Sequence, residues 1–505
     1  MGNKVKNVAN GIVMGMINMM ISLVLPFVSR TIVIYTLGTE YVGLGGLFTS
    51  ILSVLSLSEL GVGAAITFAL YKPIADGDTE KANAILKLFR DVYRVIGLVI
   101  VIISLCLLPF IDALVAGDIP NGISLKTLFL IYVANTAISY FLFAYKKVLL
   151  TANQRYDIEV NISSITLLVQ YVLQIIVLLI TKEYYVYVIV FPLATIVNNL
   201  ISNYVIKKKY PQYKCEGNVS KEEIIGLIKN VSGAFLSKLG NTVYLSVDNI
   251  IISAFLGLSI LGKYGNYYFV ISSLIAVFAI VHNSLRPVLG NNVATEDLES
   301  NWKNFKIIDF IYMTVVAICC CCCVVLFQDF ERIWAGEENM LPFSIVILLT
   351  LYFFIGRIYS VLGVYQEAAG IWWHGKFIPL IAAVVNLTLN IIGVQVIGLP
   401  AIVCSSIVAS LCINLPGTIW IMFKYYFKDR KYLVYYLKTM MVTCVQTLAV
   451  VFVTYCIMNR IVVNGWGGLI LKAIGCVLMA VALLFICNIK NPILLKVIQH
   501  VKKNR

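Results

Sequence analysis

Arg30, Glu59, Lys238, Asp248 and Arg357 stand where the sequence is otherwise built for hydrocarbon. A charge at the centre of a membrane helix costs about 2.5 kcal/mol or more on insertion scales, so it normally faces a partner or a water-filled interior. An interior with excess Arg and Lys attracts an anion, and a guanidinium grips phosphate oxygens through two parallel N–H donors. An isolated carboxylate takes up and releases a proton or a sodium ion, which couples one movement to another. On this basis Arg30, Lys238 and Arg357 are candidate anion or phosphate contacts, and Glu59 and Asp248 are candidate ion-coupling groups. For Arg30, Glu59 and Asp248 the competing reading is a buried ion-pair or hydrogen-bond network that fixes helix packing. For Lys238 and Arg357 it is a long side chain reaching back to the membrane surface.

Uncharged polar residues extend the pattern. Ser237, Asn241, Tyr244 and Asp248 succeed one another at steps of three or four, which makes one stripe on a helix, with Lys238 beside it. Ser53, Ser56 and Glu59 give a second helix a polar face, and Gly61 and Gly63 let another helix approach closely. Pro26 removes a backbone donor shortly before Arg30 and is expected to bend that helix. Asn241, Asn249, Gln174 and Asn390 are candidate cavity-lining groups, although such residues taken singly serve packing more often than binding. Lys472 reads as a side chain snorkelling to the surface, and Arg286 as a topological anchor. The three histidines, His282, His374 and His500, fall in no metalloprotease, Walker or nucleophile-elbow motif, so the sequence points to no catalytic residue, cofactor or metal. The thirteen cysteines lie mostly in hydrophobic segments, including the run Cys319 to Cys323, and read as small packing residues.

The elements that must carry these residues follow from composition. Of 505 residues, 60% are hydrophobic and 13% charged, with a mean hydropathy of +0.91, which describes an all-α polytopic membrane protein. At about 20 apolar residues per crossing, charge clusters and turn signals divide the chain into fourteen transmembrane helices. They fall near 9–36, 42–70, 91–114, 124–145, 159–181, 185–206, 228–256, 264–287, 306–327, 341–365, 377–398, 400–423, 438–459 and 466–487. The net charge of +14 does not indicate nucleic acid. Most Lys and Arg residues lie in alternate connections and at the two ends, a positive-inside pattern that puts both termini in the cytoplasm. The basic start, Met1 to Lys6, leads into an apolar run too long for a secretory signal, and reads as a retained first helix. Gly2 lacks the Ser or Thr at position 6 that myristoylation requires.

The sequence also repeats itself. Leu37-Gly38-x4-Gly43-x2-Gly46 recurs 219 residues later as Leu256-Gly257-x4-Gly262-x2-Gly265. The same offset sets Ala116-Gly117 on Ala335-Gly336 and the segment Ala75 to Asp78 on Ala294 to Asp297. Near offset 216, Gln170 and Gln174 meet Asn386 and Asn390. A shift of six helices preserves orientation, so the expected architecture is two six-helix lobes, 1–206 and 228–427, related by a pseudo-two-fold axis along the membrane normal, with substrate between them. Residues 207–227 form a cytoplasmic linker, and 428–505 hold helices thirteen and fourteen and a basic tail.

With the Leu37-Gly38-x4-Gly43-x2-Gly46 connection, the Ser58-Glu59-Leu60-Gly61-Val62-Gly63-Ala64-Ala65 segment, two six-helix lobes and an extra helix pair, the chain resembles the polysaccharide flippases of the MOP (MATE-like) superfamily, the Wzx or RfbX type. The resemblance implies a transporter of the bacterial plasma membrane, not an enzyme. It implies movement of undecaprenyl-diphosphate-linked oligosaccharide repeat units, for O-antigen, capsule or teichoic-type polymers, from the cytoplasmic to the outer leaflet by alternating access. The partners implied are that polyprenyl-diphosphate-linked glycan, membrane lipids, a coupling ion, H⁺ or Na⁺, and polysaccharide polymerase machinery. Helices thirteen and fourteen would help accommodate the polyprenyl tail, by analogy with the lipid II flippase of the same superfamily. Arg30 matches a cationic position of first helices in the family, and the lipid II flippase usually carries more arginine there. A MATE-like drug/cation antiporter, a lipid II flippase and, from another class, a membrane polysaccharide polymerase or glycosyltransferase are the alternatives.

Overall fold

The computed structural model describes residues 2–56 and 62–495; the side chains of residues 2–17, 19, 64, 225–234, 237 and 372 are not part of that description, and Glu59 falls outside it altogether. No strand occurs among the described residues. The chain groups into two compact units, Met1–Gly262 and Lys263–Arg505.

The first unit holds α1 (Gly2–Thr36), α2 (Thr39–Leu55), α3 (Val62–Asp76), α4 (Thr79–Leu107), α5 (Leu125–Phe141), α6 (Val148–Ala152), α7 (Tyr156–Thr181), α8 (Tyr184–Lys209) and the first arm of α9 (Lys221–Thr295). The second holds the other arm of α9, then α10 (Leu298–Trp334), α11 (Phe343–Ile358), α12 (Ser360–Ala368), α13 (Ile378–Ile397), α14 (Leu399–Ala409), α15 (Leu415–Ile421), α16 (Arg430–Met458) and α17 (Gly465–Asn488). Ten helices among the described residues are long and apolar enough to cross a membrane, and the bent pair Leu125–Phe141 and Ala144–Ala152 is an eleventh candidate. The two arms of α9 supply predicted spans seven and eight, while α1 supplies span one and α2 with α3 span two. Each of the fourteen predicted spans therefore coincides with helix, apart from the undescribed residues 57–61. Large apolar side chains such as Ile180, Phe452 and Leu471 stand exposed along these helices, which only a lipid surround makes favourable.

The repeat is written into the backbone. Gly38 and Gly257 both leave the helix at positive φ, 114° and 87°, a conformation that costs glycine alone nothing. Gly117 and Gly336 do the same, at 77° and 93°. Asp78 caps α4 by accepting from the Lys81 N–H at 2.9 Å, and Asp297 caps α10 by accepting from the Ser300 N–H at 3.0 Å. Gln170 donates to Gln174 along α7, as Asn390 donates to Asn386 along α13. α1 continues unbroken through Pro26.

Gly43 and Gly262, a repeat pair, lie back to back within the first unit. A methyl group on Gly43 would overlap the Leu258 carbonyl, and one on Gly262 would overlap the Thr39 carbonyl. Thr39 and Leu258 are also 219 residues apart, so the two contacts are images of each other. Small residues at such crossings let backbones meet where lipid supplies no hydrophobic drive. In the second unit, the Lys472 ammonium is buried and donates to Asp329 Oδ2 at 2.7 Å, while Arg332 pairs with Asp329 Oδ1 at 2.9 Å. Lys472 therefore does not snorkel; an acidic partner one helix away holds it inside. Cys320, Cys321, Cys323 and Cys476 are buried, and Cys321 and Cys476 share an apolar cluster with Ala317, Val450 and Ala480.

Two outcomes follow for the purified protein. Gly262→Val should lower stability by about 1–3 kcal/mol through overpacking, read as a fall in Tm, whereas Gly46→Ala, which meets open space, should leave Tm unchanged or slightly raised. Asp329→Asn should cost roughly 3 kcal/mol by leaving a buried ammonium uncompensated; adding Lys472→Met should restore most of it, and strict additivity of the two losses would exclude the coupling.

Candidate functional site

The strongest polar concentration in the first unit arises where a helix breaks. α5 ends at Phe141, and Phe143 takes a left-handed conformation, φ 58°. The following turn, Ala144–Lys147, leads into α6 at an angle of 51° to α5. The break turns two lysines onto α8. The Lys147 Nζ donates to Asn198 Oδ1 at 2.5 Å and the Lys146 Nζ to Asn203 Oδ1 at 2.8 Å. Asn198, Asn199, Ser202 and Asn203 form a polar stripe in an otherwise apolar helix, and farther along the pair of helices Thr195 donates to Asn135 at 2.7 Å. Glu159, at the start of α7, accepts from Thr151 at 3.2 Å and lies near enough to act on Lys147 electrostatically.

Beside Lys147 opens a cavity of about 350 Å³. Its walls are Asn18 and Ser22 of α1, Ser139 of α5, Lys147, Ser163, Thr166 and Gln170 of α7, and Thr195, Asn198 and Asn199 of α8, with Leu167 and Ala194 the only apolar members. Among the described residues no carboxylate lines it, and Lys147 is the single formal charge. Asn18 is fixed by donating to Ser164 at 2.7 Å. Asn199 is 1% exposed, and its side-chain Nδ2 has no hydrogen-bond partner among the described residues. A buried donor left unsatisfied costs about 1–3 kcal/mol, so a cavity with such a donor in its wall is made to meet an acceptor. Neutral donors and acceptors beside one cation suit a hydroxyl-rich ligand that carries negative charge.

The residues singled out in the sequence take distinct places. Arg30 is half-buried next to Ser29, whose hydroxyl meets the Tyr187 hydroxyl at 2.9 Å, and the Arg30 charge reaches Tyr187. Gln174 is fully buried and donates to the Tyr187 carbonyl at 3.3 Å. Asn249 of α9 donates to Ser50 of α2 at 2.9 Å. Asp248 is half-buried, Tyr244 buried, and Lys238 and Asn241 exposed on the same arm. In the second unit Asn390 is fully buried against Asn386, which donates to Ser406 at 2.9 Å. Arg357 lies close enough to His282 and Tyr359 to act on both electrostatically, and its Nε is buried without a hydrogen-bond acceptor among the described residues. Arg286 pairs with Glu367 at 2.6 Å.

Lys147 was not singled out in the sequence, because a lysine pair at a span's end reads as a topological signal. The informative sign was on the partner helix: Asn198, Asn199 and Asn203 inside an apolar span. Asn198→Leu should remove the acceptor of the Lys147 ammonium and lower stability by about 1–3 kcal/mol. Asn198→Asp should keep it, and a Tm unchanged in the leucine variant would show that the bond contributes nothing.

Comparison with known proteins places this geometry. A family model described as "Polysaccharide biosynthesis protein" matches residues 6–293. The lipid II flippase MurJ in an inward closed conformation superposes with a TM-score of 0.70 at 17% identity, covering 94% of this chain and 99% of that one. An inward-facing multidrug resistance MATE transporter of the MOP superfamily gives 0.62 at 16% identity, over 81% and 98%. A MOP superfamily transporter from Pyrococcus furiosus, described as having a binding pocket of reversed polarity, gives 0.54 at 17% identity, over 84% and 97%. At these identities the likeness is one of fold. No curated protein sequence matches the chain.

Proposed function

We infer the function from this premise: the chain belongs to the polysaccharide biosynthesis protein family, and it is a multi-pass membrane protein with the fold of MOP superfamily transporters. Family and fold are those of transporters and not of enzymes. Our reading is a flippase that carries an undecaprenyl-diphosphate-linked oligosaccharide repeat unit from the cytoplasmic to the outer leaflet of a bacterial plasma membrane by alternating access. Both termini lie in the cytoplasm in this reading, and residues 1–206 and 228–427 act as two lobes, with 428–505 appended.

The observation that carries it is the 350 Å³ cavity of the first unit, rich in hydroxyl and amide groups and, among the described residues, free of carboxylates in its wall and supplied with one lysine. Glycan hydroxyls match the Asn, Ser, Thr and Gln lining, and a polyanion matches Lys147 and the basic residues elsewhere in the membrane segments. A drug/cation antiporter calls for acidic walls instead. In this scheme Arg30, Lys238 and Arg357 contact the diphosphate or acidic sugars at successive stages. Asp248 and Glu59 exchange a proton or sodium ion to drive the cycle. Asn241 adds to the polar surface, while Gln174, Asn249 and Asn390 hold the helices that present it. The polymerase that consumes the flipped unit is a working partner.

Export of the surface polymer in cells expressing Arg30 variants tests the scheme. Arg30→Lys should retain export and Arg30→Ala should reduce it about tenfold at equal membrane abundance, the factor set by one charge-assisted contact. Full export by the alanine variant would remove Arg30 from the mechanism. Growth rescue of cells lacking their lipid II flippase would redirect the substrate to the peptidoglycan precursor, and lengthening of a lipid-linked glycan by the purified protein would replace transport with polymerisation.

A further inference from the structure

A second cavity, about 440 Å³, lies wholly within the second unit among α10, α16 and α17. It is independent of the polar pocket beside Lys147 and plays no part in the scheme above. Lys306, Lys438 and Lys490 line it together with one carboxylate, Asp309. Lys438 and Lys490 make no ion pair among the described residues. The Oδ1 of Asp309 is buried and accepts no hydrogen bond among the described residues. Farther along the helices the wall is mixed, with Phe310, Met313, Val442 and Leu484 beside Thr314, Thr443, Gln446 and Thr447.

Aromatic packing frames this cavity. Trp302 stacks on Phe305 at 5.2 Å and meets Phe427 and Tyr432 at 4.9 and 4.7 Å, and Tyr436 donates to the Ile358 carbonyl at 3.1 Å. Trp and Tyr collect at the level of lipid headgroups, and lysines mark the same level. Trp302 and Tyr436 are buried in the protein, whereas Tyr435 is exposed with the Lys306 ammonium over its ring at 5.3 Å, an arrangement that suits the headgroup level.

Three lysines between helix ends would by themselves describe a site for any acidic lipid headgroup. Asp309 changes the class. A buried carboxylate oxygen with no donor costs more than a buried neutral acceptor, and an acidic headgroup brings only further negative charge to it. A headgroup with a phosphate and a primary ammonium satisfies both sides at once: the phosphate meets the lysines, and the ammonium, with three N–H donors, meets Asp309. We propose that the cavity between α10, α16 and α17 binds the headgroup of an aminophospholipid, with Lys306, Lys438 and Lys490 on the phosphate and Asp309 on the amine. The site would seat a structural lipid from the surrounding bilayer at the basic ends of α16 and α17, the helix pair that lies outside the sequence repeat.

Native mass spectrometry of the full-length, delipidated protein tests this with phosphatidylethanolamine, phosphatidylglycerol and phosphatidylcholine added in turn. The wild type should retain phosphatidylethanolamine about tenfold better than the other two, the factor expected for one charge-assisted hydrogen bond that glycerol and trimethylammonium headgroups cannot make. This comparison needs no variant; equal retention, or preference for phosphatidylglycerol, would overturn the proposal. Asp309→Asn, checked for monodispersity, should abolish the preference while leaving residual binding of both phosphatidylethanolamine and phosphatidylglycerol. Lys438→Gln with Lys490→Gln should weaken both lipids together. Soluble phosphoethanolamine at equal concentration should fail to displace the lipid; displacement would make the ligand a soluble phosphoamine and defeat the lipid assignment.

Discussion

The backbone crossing of Gly43 and Gly262 sets the spacing around which the first unit is arranged. In lipid, two apolar helices gain nothing by hiding from solvent, because acyl chains are as apolar as leucine. What remains is close packing, and dispersion falls off over fractions of an ångström. Glycines on both sides let α2 and α9 approach with no side chain between them, and the carbonyls of Thr39 and Leu258 occupy the space. α9 breaks at Gly257, and the arm before the break carries Asn249, which donates to Ser50 of α2 at 2.9 Å and fixes the rotation of that pair. Asn249 is the repeat partner of Arg30. The same crossing that aligns the repeats thus brings a neutral amide to the position in α9 that corresponds to the arginine in α1.

Buried polar groups in this protein differ in whether a partner is in place and whether they line a cavity. Gln174, Asn386 and Lys472 are buried with partners in place, and their hydrogen bonds tie one helix to another. Such groups cost little once paired and define which helices meet. Asn199 Nδ2 and Asp309 Oδ1 are buried without partners among the described residues, and each belongs to a residue in the wall of a cavity. An unsatisfied group inside a packed core would simply destabilise it. At a cavity wall the same penalty becomes affinity for whatever supplies the missing partner, and Asn199 and Asp309 differ in this from Ser104 and Arg357, whose buried unpaired atoms belong to residues that line neither cavity.

Most of the fold was legible in the sequence because lipid imposes one rule, about twenty apolar residues per crossing, and turns carry glycine and charge. The offset of 219 residues was equally legible, since Gly38 and Gly257 hold positions where other residues are strained, and Asp78 and Asp297 cap matching helices. Contacts are harder to read. Nothing local in the sequence says that Lys472 meets Asp329, 143 residues away, so a buried ion pair looked like a snorkelling chain. Lys147 and Asp309 were hidden for another reason. Both lie near span ends, where charge is ordinary, and only the bend after Phe143 and the packing of α10 against α16 and α17 turn them into cavity walls.

The chemistry of the first cavity also bears on how a flippase works. A carrier has to release what it binds, so a site that held its cargo with several buried ion pairs would trap it. Each neutral hydrogen bond contributes about 0.5–1.5 kcal/mol net, and a wall of Asn, Ser, Thr and Gln therefore gives graded, modest affinity. It also tolerates change in the sugar, because a hydroxyl lost on one side leaves small, reorientable partners on the other. A single lysine, already engaged by Asn198 at 2.5 Å, adds direction without locking a phosphate in place. On the flippase reading, specificity for the anionic lipid carrier and indifference to much of the glycan then come from the same economy of charge: few cations, set among many neutral groups.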